Sequence, residues 1–118
     1  MKILCDIDKT LPKFVRANAE NRASSKLERF TDAIEEVRLM LRDLNGPRGG
    51  QDAECLVTVH LRHMPEIIIQ ERSDSIGKAM YNALERASRT IARNLQKRTH
   101  QLQKGPRLLD EGLDAALA

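Results

Sequence analysis

The sequence predicts a single α+β domain with the element order β-α-β-β-β-α. Two observations carry this prediction. Apolar and polar residues alternate in short segments, which is typical of half-buried strands. A long segment near the C-terminus instead repeats apolar residues at helical spacing. A chain of 118 residues fits one compact domain. We expect that domain to occupy residues 1–104 and residues 105–118 to form a flexible tail.

The first half of the chain predicts two strands separated by a helix. Alternating apolar residues indicate a short strand at 2–7 and a second strand near 37–42. Between them, apolar residues at helical spacing predict a helix over about residues 11–30. Thr10 and Pro12 form a typical signal for the start of this helix.

The second half predicts a hairpin, a short fourth strand and a long helix. Turn-forming residues at 45–50 indicate the hairpin loop, and clean alternation over 55–62 indicates the third strand. A shorter strand follows Pro65. Ser73 and Asp74 are both good N-caps for a helix over about 75–103, which Gly105 and Pro106 end.

The predicted layers are a four-stranded sheet and two helices. An antiparallel meander needs cover for its apolar face, so we expect both helices on one face and water on the other. The residues expected between the layers come from two strands and the last helix. They are Val37, Leu39, Val57, Val59, Ile76, Ala83 and Ile91.

Composition excludes several classes of protein. No apolar run exceeds four residues, and the most hydrophobic of them, Ile67 to Ile69, has three, so no segment could span a membrane. Asp6 and Asp8 interrupt the N-terminal segment, which therefore lacks the apolar stretch of a secretory signal. We expect a cytoplasmic protein that does not engage a membrane, with Cys5 and Cys55 as buried thiols rather than a disulfide.

Positive charge is concentrated in the last predicted helix. Residues 76–104 carry seven basic side chains and one acidic side chain, Glu85, whereas residues 1–75 carry 12 basic and 13 acidic ones. At 100° per residue, most of these basic residues and one histidine fall within a sector of about 100°, away from the apolar stripe. We call this set the basic ridge: Lys78, Arg86, Arg89, Arg93, Lys97, His100 and Lys104.

A ridge of this kind predicts contact with nucleic-acid phosphates. Solvated helix faces ordinarily mix charges of both signs, so we favour an RNA-binding role over a merely solvated face. Lys26 and Arg29 of the first helix, with Arg22 beside them, would extend the basic surface if the two helices pack side by side.

Other chemistries find little support in the sequence. The aromatic residues Phe14, Phe30 and Tyr81 lie outside the strands, which argues against a base-stacking sheet and favours recognition of RNA by shape and phosphate. His60 and His63, three apart on a predicted strand, should point to opposite faces and share no metal. We expect no catalytic group, no cofactor and no small-molecule substrate.

Three stretches carry a family resemblance. The first comprises Lys26 to Phe30, Ile34 and Val37 to Leu41, and the second comprises Asn45 to Gly50 with Asp52 and Cys55. The third lies in the last predicted helix: Asp74, Ala79, Ala83, Arg86, Arg89 and Arg93. In this order they resemble the end of the first helix with the second strand, a hairpin of one branch, and the second helix of the ribosome hibernation-promoting and ribosome-associated inhibitor family.

The resemblance covers most of residues 11–98 and implies a double-stranded-RNA-binding-like fold of the short family form. It implies that the partner is the small-subunit rRNA of the ribosome. The protein would occupy the channel for tRNA and mRNA and block translation during stress or stationary phase. An alternative from the charge pattern is a protein-interaction module whose basic helix binds an acidic protein.

Overall fold

A computed structural model describes residues 1–44 and 53–104, with side chains described as far as residue 98. The predicted element order is confirmed. The elements are β1 Lys2–Ile7, α1 Phe14–Leu27, a 3-10 turn Glu28–Phe30, β2 Ile34–Asp43, β3 Ala53–Leu61, β4 Ile67–Ser73 and α2 Ile76–Lys104. The predicted loop at 45–50 and the predicted tail at 105–118 lie outside the described residues.

The four strands form one mixed sheet in the order β1-β2-β3-β4. The pairs β2–β3 and β3–β4 are antiparallel as expected, but β1 runs parallel to β2. The expectation of a fully antiparallel meander is therefore wrong. A helical crossover through α1 returns the chain to the starting edge, so the two strands that it joins run in the same direction.

The core lies between one face of the sheet and both helices. α1 packs on β1, α2 packs on β3 and β4, and the helices contact each other. Six of the seven residues predicted for this layer have no exposed surface. Ile76 is only half-buried, because it opens α2 at the rim of the sheet. Strand alternation and the helical stripe thus correctly identified the buried faces.

The first helix is shorter than predicted at its start. The Thr10 backbone N–H donates to Asp8 Oδ1 at 3.1 Å, and the Leu11 N–H donates to the Asp8 carbonyl at 3.0 Å. These bonds form a turn, so Thr10 does not cap the helix. Lys13 precedes α1 with no side-chain cap. The other oxygen, Asp8 Oδ2, accepts from the Asp43 N–H at 3.1 Å, which ties this turn to the end of β2.

The start of α2 is capped by a residue that the sequence did not single out. The Lys78 backbone N–H donates to Ser75 Oγ at 3.2 Å, the geometry of an N-cap. Asp74 instead accepts from the Lys78 ammonium group, and Ser73 Oγ donates to Asp74 at 3.1 Å. The predicted capping role of Ser73 and Asp74 is therefore wrong, and Ser75 performs it.

The sheet face opposite the helices carries a cross-strand charge network. Glu54 of β3 is only 4% exposed. Its carboxylate is ion-paired with Arg72 at 3.3 Å and with Arg42 at 3.8 Å, and it accepts a hydrogen bond from the Gln70 amide. Side chains from the two flanking strands therefore converge on a buried carboxylate, which the residues of β4 keep hydrogen-bonded.

Both cysteines are free thiols, as predicted. Cys55 is buried and Cys5 is half-buried, so both contribute to the packing of the layer as small apolar groups. Burial raises the pKa of the Cys55 thiol to about 12 and also raises the pKa of Cys5. A thiol that remains protonated at neutral pH is a poor nucleophile.

Candidate nucleic-acid interface

The basic ridge projects from α2 because the opposite side of the helix is anchored in the core. Ala83, Ala87 and Ile91 are fully buried against the sheet. The five ridge residues with described side chains are all exposed: Lys78, Arg86, Arg89, Arg93 and Lys97. His100 and Lys104 lie on the same helix, but their side chains are outside the described part.

The centre of the ridge has little acidic compensation within residues 1–44 and 53–98, where Arg89 interacts electrostatically with Glu85 of the preceding helical turn. No ion pair forms there to Arg89, Arg93 or Lys97. Their four-residue spacing places successive residues about 6 Å apart along the helix axis. Three exposed cations in a row therefore remain available to an external polyanion.

Two other ridge residues are neutralised by acidic residues that precede α2 in the sequence. Arg86 is ion-paired with Glu71 of β4, and Lys78 is ion-paired with Asp74 at 3.3 Å. The hydrogen bond from Lys78 is the main reason why the pKa of Asp74 lies below its ordinary value. Arg86 is therefore not available as an unpaired cation, which the sequence did not reveal because a charge count within one segment cannot detect partners from another element.

The first helix and the 3-10 turn that follows it contact the second helix directly. Lys26 Nζ lies 2.6 Å from Glu85 Oε1, and the Arg29 guanidinium donates to Ser88 Oγ at 3.3 Å. The two helices therefore pack side by side, which was the condition for residues of the first helix to extend the basic surface. Lys26 is half-buried and compensated by Glu85, whereas Arg29 is exposed and has no ion pair with any described residue.

The geometry around Glu85 is set by two donors. Lys26 and the Tyr81 hydroxyl, which lies 3.2 Å from Glu85 Oε2, both donate to the carboxylate. The hydrogen bond from Lys26 is the largest cause of the lowered pKa of Glu85. The single acidic residue of the last helix therefore stays ionised at neutral pH and bridges the two helices.

A cleft of about 400 Å³ opens between the two helices. We call it the interhelical groove; its walls include Arg22, Ser25, Lys26, Arg29, Tyr81 and Ser88. Arg22, Lys26 and Arg29 were predicted near this surface from the sequence, whereas Tyr81 and the two serines were not. An aromatic residue off the apolar stripe of α2 was the available signal for Tyr81.

The histidines are arranged differently from the sequence expectation. His60 lies on β3 with Nε2 2.6 Å from Glu66 Oε2. His63 lies in the following turn with a φ of 60°, so the premise that both lie on one strand is wrong. Within the described ranges, no three His, Cys, Asp or Glu residues are grouped so as to hold a metal ion.

The fold and surface together define a class of protein: a small α+β domain that presents one basic, exposed helical face. Among the described residues, no helix is long and apolar enough to cross a membrane. A family model described as "Sigma 54 modulation protein / S30EA ribosomal protein" matches residues 9–103. The chain belongs to this family of ribosome-associated proteins, and the resemblance to ribosome hibernation factors is confirmed.

Solved structures share the fold at low sequence identity. The N-terminal domain of Protein Y from Thermus thermophilus is similar with a TM-score of 0.63 and 19% identity, over 79% of this chain and 98% of that chain. A ribosomal subunit interface protein from Coxiella burnetii is similar with a TM-score of 0.63 and 16% identity, over 81% and 99%. No curated protein sequence matches the chain.

Proposed function

We propose that the protein binds the small ribosomal subunit through the basic ridge and blocks translation by occupying the channel for tRNA and mRNA. The observation that carries this proposal is the run Arg89, Arg93 and Lys97, which is exposed on one helix face and forms no ion pair with a described residue. Family membership supplies the ribosome as the polyanion. The subunit interface protein from Coxiella burnetii, whose fold is similar, supports a position between the subunits.

Phosphate contacts account for the expected mode of binding. Each cation that replaces condensed counterions on RNA gains affinity from their release. The described strands carry no Phe, Tyr or Trp residue on which bases could stack. RNA recognition by shape and backbone charge therefore fits the surface better than the reading of single-stranded sequence.

Action by occupancy needs no reaction. A rigid helix packed on a sheet holds its cations in fixed positions, so binding does not incur the cost of ordering them. A bound domain of this kind excludes tRNA and mRNA sterically. We infer that the protein is a cytoplasmic hibernation factor and that it acts by binding.

Sedimentation with purified subunits tests the proposal. We expect the protein to co-sediment with small subunits in sucrose gradients, to lose that association after nuclease treatment, and to compete with tRNA. A triple variant, Arg89→Gln, Arg93→Gln and Lys97→Gln, should lose most of its affinity.

A charge-matched control separates position from net charge. Lys2, Lys9 and Lys13 are exposed residues outside the basic ridge, and their triple change to Gln removes the same three positive charges. This control should bind like the wild type. Equal loss of binding in both variants would contradict a role for the ridge.

The alternative function is a protein-interaction module with an acidic partner. The same exposed cations favour it, since acidic protein surfaces also attract them. Nuclease treatment distinguishes the two functions. A complex that survives complete digestion of RNA supports an acidic protein partner. A complex that dissociates on digestion supports binding to ribosomal RNA.

A further inference from the structure

The interhelical groove combines an exposed aromatic ring with several cations, and neither feature is needed for the packing of the core. Tyr81 is 55% exposed although it lies on a helix whose opposite side is fully packed. Its hydroxyl donates to Glu85, and Glu85 is in turn held by Lys26 of the facing helix. The ring is therefore anchored at its polar end while much of its surface remains open to solvent.

The cations of the groove outnumber its acidic groups. Arg22, Lys26 and Arg29 line it, and the carboxylate that contacts them within the described part is Glu85, which Lys26 compensates. Arg22 donates to the Asn18 side chain at 3.1 Å and forms no ion pair with a described residue. The groove thus keeps positive charge that an anion could neutralise.

Arg29 is the best positioned of these cations. Its guanidinium donates to Ser88 Oγ and lies 4.5 Å from the centre of the Phe30 ring. These contacts fix the planar group while leaving other N–H donors for a ligand. A guanidinium held in this way presents a preorganised fork to a phosphate, which it can bind through two hydrogen bonds.

We propose that the interhelical groove binds one unstacked ribonucleotide, with its base on the Tyr81 ring and its phosphate held by Arg22 and Arg29. Aromatic rings bind bases of any sequence by stacking, and a cleft of about 400 Å³ has the size of ordinary small-ligand sites. The inference rests on the proposed function in one respect, since ribosomal RNA would supply the nucleotide. It adds a single-base contact to the phosphate contacts of the ridge.

Intrinsic fluorescence gives a direct test on the intact chain. Tyr81 is the single tyrosine and the sequence has no tryptophan, so tyrosine emission reports on this ring alone. We expect AMP to quench the emission saturably after correction for absorption with a free tyrosine amide. Adenosine should bind more weakly than AMP because it lacks the phosphate, and inorganic phosphate should not quench.

Variants assign the contacts. Arg29→Gln should weaken AMP binding severalfold. Tyr81→Leu should weaken it by about ten-fold or more, measured by amide chemical shifts of Ser25 and Ser88 because the fluorophore is lost. Phe14, an aromatic residue of α1 that is 69% exposed and outside the groove, provides the matched control Phe14→Leu, which should leave binding unchanged.

A short oligoadenylate distinguishes the two sources of the nucleotide. Tighter binding of the oligonucleotide than of AMP supports a nucleotide within RNA, and equal binding supports a free one. Absence of saturable quenching by either ligand overturns the inference. An equal loss of AMP binding in Phe14→Leu and Tyr81→Leu overturns it as well.

Small-subunit binding separates this inference from the proposed function. If Tyr81→Leu and wild type bind subunits and AMP equally well, the groove inference fails while the ribosome proposal stands. If AMP quenches Tyr81 emission but neither the wild type nor any variant binds subunits, the ribosome proposal fails. The groove would then still be a nucleotide-binding site.

Discussion

Arg86 of α2 is ion-paired with Glu71 of β4, and its NH1 group also donates to the Gln70 carbonyl at 3.3 Å. The same helix face carries Arg93, which has no acidic partner among the described residues. Two arginines of one ridge therefore have different roles. Arg86 ties the helix to the edge of the sheet, while Arg93 remains available to a ligand.

This difference predicts unequal effects of two identical substitutions. Arg93→Gln should lower affinity for small subunits and reduce the slope of log K against log salt by about 0.7–0.9. Arg86→Gln should reduce the slope less, because Glu71 already neutralises that side chain. Its cost in the free energy of unfolding should stay below about 1 kcal/mol, since the pair is half-exposed.

Binding across a salt series, with urea unfolding of each variant, measures both quantities. Glutamine retains good helix propensity, so helicity should be unchanged by circular dichroism. Identical salt slopes for Arg86→Gln and Arg93→Gln would mean that the ion pair to Glu71 breaks when RNA binds.

Two isoleucines on opposite sides of the layered structure test the position of the core. Ile91 has no exposed surface, whereas Ile68 on the open face of the sheet is 60% exposed. Ile91→Ala should cost about 2–5 kcal/mol in the free energy of unfolding, because it removes buried methylene groups and leaves a cavity. Ile68→Ala should cost under about 1 kcal/mol. Urea melts that show equal costs would contradict the layer arrangement.

Periodicity explains which parts of the fold could be predicted from the sequence. The alternation of apolar and polar residues in β2 and β3 and the apolar stripe of α2 both show locally which residues are buried. Val57 and Ile91 were therefore assigned correctly to the core. The direction of β1 is not encoded in alternation, which is identical for parallel and antiparallel strands. The start of α1 was misplaced because the Asp8 carboxylate draws Thr10 into a turn.

The candidate site was harder to predict because its contacts join distant parts of the chain. The exposure of Arg89 and Arg93 follows from helix phase alone. Arg86 and Glu71 are 15 residues apart in the sequence. Their ion pair therefore depends on the packing of α2 against β4. The interhelical groove with Tyr81 depends on the contact of both helices, which no local pattern specifies.

The buried carboxylate of Glu54 predicts a stability effect on the face opposite the helices. Glu54→Ala should destabilise the fold by about 1.5–3 kcal/mol, since it removes the charge-assisted hydrogen bonds that Gln70 and Arg72 of β4 donate to this carboxylate. Arg42→Ala should cost under about 1 kcal/mol, because Arg42 is exposed and its 3.8 Å contact with Glu54 is long. Thermal and urea unfolding measure both. Similar costs for the two variants would show that Glu54 does not organise the network.

The Cys55 thiol predicts a specific loss of stability at alkaline pH. Burial, together with the nearby Cys5, Glu54 and Glu71 side chains, raises its pKa to about 12 in the folded protein, while an unfolded thiol titrates near about 8.5. Between these values the unfolded chain loses the proton that the folded chain keeps. Stability from this group is therefore complete below about pH 8.5 and declines as the pH rises towards about 12.

Urea unfolding of wild type and Cys55→Ala at pH 8 and pH 10, with reductant, measures this contribution. The wild type should lose about 1–2 kcal/mol more than the variant over that interval, because each pKa unit corresponds to about 1.4 kcal/mol. Lysine and tyrosine titration affects both proteins and cancels in the difference. Iodoacetamide should label Cys55 only on unfolding at neutral pH, since the folded thiol is buried and protonated. Rapid labelling of folded protein, or parallel alkaline losses in the two proteins, would contradict the burial of this thiol.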